Sequence, residues 1–116
     1  MIKNDVNSVS QANVKAGFNA AIELFHKRWT MRILWELRAG PVTFRVLQTA
    51  CSEVSSSVLN VRLSELREAH LIEHLTGVGY RLTLWGEDLL VAMRPLALWA
   101  GRWNEWKVNA DETTSK

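Results

Sequence analysis

The sequence predicts a small, mainly α-helical domain completed by a single β-hairpin. Three observations lead there. Apolar residues recur at steps of three and four through most of the 116 residues, the period of an amphipathic helix. Two short apolar runs flank the glycine-containing tetrapeptide Thr76-Gly77-Val78-Gly79, as in a hairpin. The chain shows neither a linker nor an internal repeat, and 47% hydrophobic with 22% charged residues is an ordinary globular balance.

Each element has its own signal. Residues 1–14 are polar and aperiodic and are expected to form a flexible arm. Phe18, Ala21, Ile22 and Phe25 make one face of a helix over 16–26, and Trp29, Ile33, Leu34 and Leu37 one face of a second over 28–38. Gly40-Pro41 stops that helix, because glycine suits a C-cap and proline cannot continue the ladder. Thr43 is placed to cap a short helix over 44–50 that buries Phe44 and Leu47. Residues 51–54 read as a turn, and a longer helix over 55–70 turns Val58, Leu59, Leu63 and Leu66 inward. Strands over 71–75 and 80–84 form the hairpin. Thr83 then caps a final helix whose first turn carries Glu87 and Asp88, favourably near the positive end of its dipole. Pro95 either kinks that helix or opens a second segment running to about residue 107. One domain over 15–108 and a flexible tail over 109–116 follow.

Several functions are disfavoured. No apolar run has the roughly 18–20 residues of a membrane span, and the polar start is not a signal peptide, so the expected setting is cytoplasmic. The single cysteine, Cys51, makes no internal disulfide and no CxxC metal site; with no basic neighbour to activate it, it reads as an inert, partly buried residue. His70 and His74 are four apart but straddle a helix end and a strand start, so no metal site is expected. No G-x-S-x-G, phosphate loop or carboxylate pair occurs, and the Ser55-Ser56-Ser57 run has no base beside it. Neither an enzyme nor a cofactor is predicted.

Net charge is only +2, yet Lys27, Arg28, Arg32, Arg38 and Arg45 share one stretch with a single acid, Glu36. A local basic patch on a modestly charged domain suits a polyanion partner, and arginines on solvated helix faces would look much the same.

Helix, helix, short helix, turn, longer helix and tight hairpin is the order of a winged helix-turn-helix domain. Residues 27–38 (KRWTMRILWELR), Gly40-Pro41 with Phe44, 58–66 (VLNVRLSEL), 71–73 (LIE) and Leu82-Thr83 with Gly86 together resemble the HxlR-type winged-helix transcription regulators, over about residues 20–103. The chain departs from that pattern in three places. Ala16 stands near the position where members often carry a redox-sensing cysteine, the wing turns on four residues, and Ala69-His70 replaces a usual Ala-Gly. Family-style thiol sensing is therefore not expected.

The core stripe of the 55–70 helix fixes its opposite face. There lie Ser57, Asn60, Val61 and Ser64, flanked by Ser56 and Arg67. Asparagine can pair with adenine, serine with several bases, and valine can touch a thymine methyl. An ordinary solvated face would favour Glu, Lys and Gln over consecutive serines. Double-stranded DNA is accordingly the expected partner. Thr43 and Arg45 open the preceding helix, where a cation and free backbone N–H groups suit a phosphate; Arg28 and Arg32 are weaker candidates of the same kind. Arg81 on the wing either reaches the flanking backbone or pairs across the hairpin with Glu73. Arg62 faces the core stripe and reads as structural.

Six tryptophans are too many for so small a core, and three of them, at 99, 103 and 106, fall in one C-terminal stretch. Leu96, Trp99, Trp103 and Trp106 recur at helical steps, and interfaces favour tryptophan. The resemblance implies dimerisation through the first and last helices, so Phe18 and Ile22 are expected to meet this stripe in a two-fold homodimer. The resulting expectation is a homodimeric regulator on a near-palindromic operator. The alternative is a winged-helix protein–protein interaction module without DNA binding. The sequence names no effector.

Overall fold

Helix α1 (Gln11–Phe25) leads through a turn into α2 (Thr30–Glu36), then α3 (Phe44–Ala50), α4 (Ser56–Glu68), the strands β1 (Ile72–Leu75) and β2 (Gly79–Leu82), and α5 (Leu84–Thr114). This is a computed structural model; it describes residues 9–114, with side chains to residue 112. The arm expected over 1–14 thus lies partly outside the described residues, at 1–8, and partly within α1. The end of the tail expected over 109–116 lies outside too, while residues 109–114 continue α5.

Local chemistry sets most helix ends. The side chains of Ser10, Thr43 and Ser55 each accept a hydrogen bond from the backbone N–H three residues on, satisfying a donor that the helix start would otherwise leave unpaired. Both α3 and α4 close with paired bonds in which the chain turns left-handed. Glu53 N donates to Gln48 O and Ser52 N to Thr49 O; Leu71 N donates to Leu66 O and His70 N to Arg67 O. The left-handed residues there are Ser52 (φ 56°), Glu53 (φ 58°) and His70 (φ 62°) rather than glycine. Helix α2 is shorter than the periodicity suggests, because Trp29 itself is left-handed (φ 80°) and the helix begins only at Thr30.

The core joins Ile33, Leu34 and Leu37 to Leu47 of α3, Leu59, Leu63 and Leu66 of α4, Ile72 and Leu82 of the hairpin, and Leu90 of α5. Val58, expected inward, is 36% exposed. The stripe of α4 is narrow, and residues 59, 63 and 66 fill it without Val58. Cys51 is fully buried, and burial, opposed by nearby Arg32, pushes its thiol pKa up.

In the hairpin, Ile72 pairs with Leu82, Glu73 with Arg81, His74 with Tyr80 and Leu75 with Gly79. Val42 adds a third short edge, exchanging two backbone hydrogen bonds with Tyr80 at 2.8 and 2.9 Å. Gly79 (φ 127°) lies against it, and any side chain there would strike the Val42 carbonyl. Pro95 falls inside an unbroken α5, so of the two arrangements open for it no second segment forms.

The radius of gyration is 16.8 Å, against about 13 Å for a compact chain of this length. The excess comes from the two terminal helices. No residue of α1 is buried, and Phe18 (67% exposed) and Trp106 (67%) stand in solvent.

Candidate nucleic-acid interface

Beyond the shared core, the side chain of Gln48 ties the start of α4 to α3. Gln48 Nε2 donates to the Val54 carbonyl (2.9 Å) and to Ser56 Oγ (3.1 Å), while its Oε1 accepts from Arg45 Nη1 (3.2 Å). The amide therefore fixes the start of α4 against α3 and holds Arg45 beside it. Sequence reasoning did not single out Gln48. Its role depends on a turn geometry that no local pattern announces.

The outward side of α4 carries the predicted set. Ser56, Ser57, Asn60, Val61 and Ser64 are all exposed. Ser57 Oγ lies 3.4 Å from Ser55 Oγ, and Ser56 is engaged by Gln48. Asn60, Val61 and Ser64 present their side chains outward, small enough to let a helix approach a groove closely. Thr43 is exposed at the start of α3, spending its hydroxyl oxygen on the Val46 N–H; Arg45 follows it, also exposed.

The remaining arginines divide by their partners. Arg62 donates to the Arg28 carbonyl (2.9 Å) and to Glu65 (3.0 Å), the structural role its position suggests. Glu65 also receives Lys27 at 2.6 Å, and that hydrogen bond above all, outweighing burial, holds its carboxyl below the usual range. Arg32 is bound to Glu36 (2.7 Å) and the Ala50 carbonyl (3.1 Å). Arg28 lies over the Trp29 ring. On the wing, Arg81 Nε meets Glu73 Oε1 at 2.5 Å, the cross-strand pair that was one of its two readings. Between α4 and the wing runs a cleft of about 480 Å³ lined by Ser64, Arg67, Glu73 and His74. His74 packs on Tyr80 with ring centroids 4.6 Å apart, while His70 forms the α4 terminus, so the two do not share a helical face.

The HxlR-like helix-turn-helix family model matches residues 24–108. The chain belongs to this family. It is similar to an uncharacterized HTH-type transcriptional regulator, YvaP, of Bacillus subtilis (strain 168), at 27% identity over 82% of this chain and 94% of that one. Among solved structures it resembles quinone-bound YodB from B. subtilis, with a TM-score of 0.69 and 29% identity over 74% of this chain and 96% of the other. A MarR-family regulator from Enterococcus faecalis V583 shares the fold alone, with a TM-score of 0.73 and 22% identity over 92% of this chain and 99% of that one. The winged helix-turn-helix architecture and the place among transcription regulators are thereby established. The family points away from enzymes. Among the described residues no helix is long and apolar enough to cross a membrane.

The dimerisation residues proposed from sequence, Phe18, Ile22, Leu96, Trp99, Trp103 and Trp106, are all exposed. Trp99 and Trp103 stack at 5.2 Å, and Lys107 Nζ lies 3.8 Å above the Trp103 ring.

Proposed function

We infer that this regulator binds a near-palindromic operator as a cytoplasmic homodimer, each protomer laying the first turns of α4 in a major groove. The observation that carries this reading is the outward face of α4, small and polar at Ser56, Ser57, Asn60 and Ser64, steadied by the Gln48 clasp. Asn60, Ser57 and Val61 are then the base readers. Thr43 and Arg45 hold a phosphate at the start of α3, and Arg81 reaches the flanking backbone only by leaving Glu73. The exposed apolar faces of α1 and α5 supply the two-fold interface, since stripes of this size are rarely left in water. Half-sites would lie about 10 base pairs, or a multiple of one turn, apart.

The test compares Asn60→Ala with Arg45→Ala on cognate and scrambled duplexes at two salt concentrations. Asn60→Ala should weaken the cognate site by about 1–3 kcal/mol and barely change the scrambled one. Arg45→Ala should weaken both and lower the salt slope by about one unit per site. Equal loss on both duplexes for both variants would remove α4 from the groove. No loss for either would favour an interaction module, the reading that the tied wing arginine and the small net charge support.

A further inference from the structure

Within one chain, helix α1 is anchored by its last turns. Residues 11–20 are all exposed, whereas Leu24 and Phe25 pack against the core. Just beyond them, at the elbow between α1 and α2, two consecutive residues are gripped by two residues of α4 that lie one turn apart. Lys27 Nζ donates to Glu65 Oε2 at 2.6 Å, and the Arg28 carbonyl accepts from Arg62 Nε at 2.9 Å. Arg62 Nη1 and Glu65 Oε1 are themselves joined at 3.0 Å, so the four residues act as one unit. A grip at two points resists rotation about the elbow as well as separation, whereas a single ion pair resists only the second.

The backbone at the elbow is held in a costly form. Trp29 is left-handed (φ 80°), a conformation that bulky side chains rarely adopt. Thr30 beside it is buried, and its hydroxyl finds no hydrogen-bond partner among the described residues. Such costs persist where the surroundings over-determine the chain, and the grip from α4 supplies that constraint. Leu59, Leu63 and Leu66 fix α4 in the core. Slack at the elbow would therefore move α1 against the body and leave α4 where it is.

We propose that Glu65, with Lys27 and Arg62, positions the two recognition helices of a dimer at one fixed separation and so sets the spacing of the operator half-sites. Phe18 lies about 13 Å from the elbow along α1. A tilt of about 10° there moves it by about 2 Å, and two-fold symmetry raises the relative shift of the two α4 helices to as much as about 4–5 Å. One base-pair step is only about 3.4 Å. The spacing role rests on the operator-binding homodimer inferred above, whereas the locking of the elbow does not.

In the test, the wild-type chain selects its operator from random duplexes, and the selected site is remade with the spacer one base pair shorter and one longer. Wild type should prefer the selected spacer by about tenfold or more, because deforming DNA to fit is costly. Glu65→Ala and Lys27→Met should each cut that preference to about threefold or less, and Lys27→Arg should restore it. Glu36→Gln, which breaks the Arg32 ion pair inside α2, should leave it intact. The ratio between spacers does not depend on how much protein is folded. A merely destabilising change would lower all three affinities together, and that result with the preference unchanged would overturn the proposal, as would a wild type indifferent to spacer. Nitroxide labels at Ala16→Cys and Glu68→Cys, in labelled chain diluted into unlabelled chain, read the elbow without DNA, since the buried Cys51 takes no label. Lys27→Met should broaden a narrow distribution of distances, and equal widths would also overturn the proposal. If the wild type selects no duplex, the operator reading fails and the spacing role with it, while the label distances still report whether the grip holds the elbow.

Discussion

Gly86→Ala should destabilise the protein, although alanine is the better helix former. Gly86 is buried in the first turn of α5, and its N–H donates to Thr83 Oγ1 at 3.2 Å. A Cβ built there lies 3.2 Å from the Leu71 carbonyl carbon, closer still to its oxygen, and 3.1 Å from Leu82 Cδ2. The nearest obstacle is backbone, and that same carbonyl accepts the Thr83 N–H at 3.0 Å, so α5 must move off the base of the hairpin. The intrinsic gain of alanine over glycine is about 1 kcal/mol. Overpacking costs about 1–3 kcal/mol, and a backbone obstacle puts this case at the upper end. The net loss is then about 1–2 kcal/mol. With an unfolding entropy near 240 cal/mol/K for a chain of this size, Tm falls by about 4–8 °C. Gly101→Ala is the matched control: same helix, same substitution, and nothing within 4 Å of the new Cβ. It should raise Tm by about 2–4 °C. Thermal unfolding followed by circular dichroism compares the two. A rise of similar size in both would refute the close approach of α5 to Leu71.

His70→Gly should stabilise the chain by about 0.5–1 kcal/mol in urea unfolding, because the left-handed turn costs a side-chain-bearing residue more than the extra chain entropy of glycine. Glu65, held below the ordinary carboxylate value of 4.5 chiefly by its hydrogen bond from Lys27, favours folding above that value and loses the contribution as pH falls through the depressed one. The stability gap between wild type and Glu65→Gln should therefore be widest near pH 7 and shrink below about 4.5, as read from denaturant midpoints across pH. Native Cys51 should resist a thiol-reactive dye that labels the denatured chain at once, being fully buried with its thiol pKa raised.

What the sequence made legible was local. The range of α3 follows from Thr43 as cap and from Gly40-Pro41 just before it, chemistry that acts within a few residues. The Thr83 cap was readable for the same reason, and the structural role of Arg62 from helical phase, although its Arg28 partner lies 34 residues away. The early start of α1 was hidden because its first turns bury nothing, so apolar periodicity had no pattern to show there, and Ser10 sits among other polar residues. Val58 was misplaced because a period marks a stripe of fixed width, whereas packing against α2 and the hairpin admits only residues 59, 63 and 66. In the candidate site, the outward residues of α4 follow from helical phase alone. Gln48 does not, since its partners Val54 and Ser56 come within reach only after two successive left-handed residues reverse the chain at Ser52 and Glu53.

The strand-like bridge at Val42 has a consequence for aggregation. A small sheet inside a helical protein offers its outer backbone groups to any passing extended segment. Here the outer position beside β2 is held by one residue, bonded in both directions to Tyr80 and preceded by Pro41, which has no amide hydrogen to give a further strand. At the other margin, β1 is four residues long and carries a carboxylate at Glu73. Extension of the sheet by foreign chains is discouraged on both sides, so the helices are the surfaces left open to association.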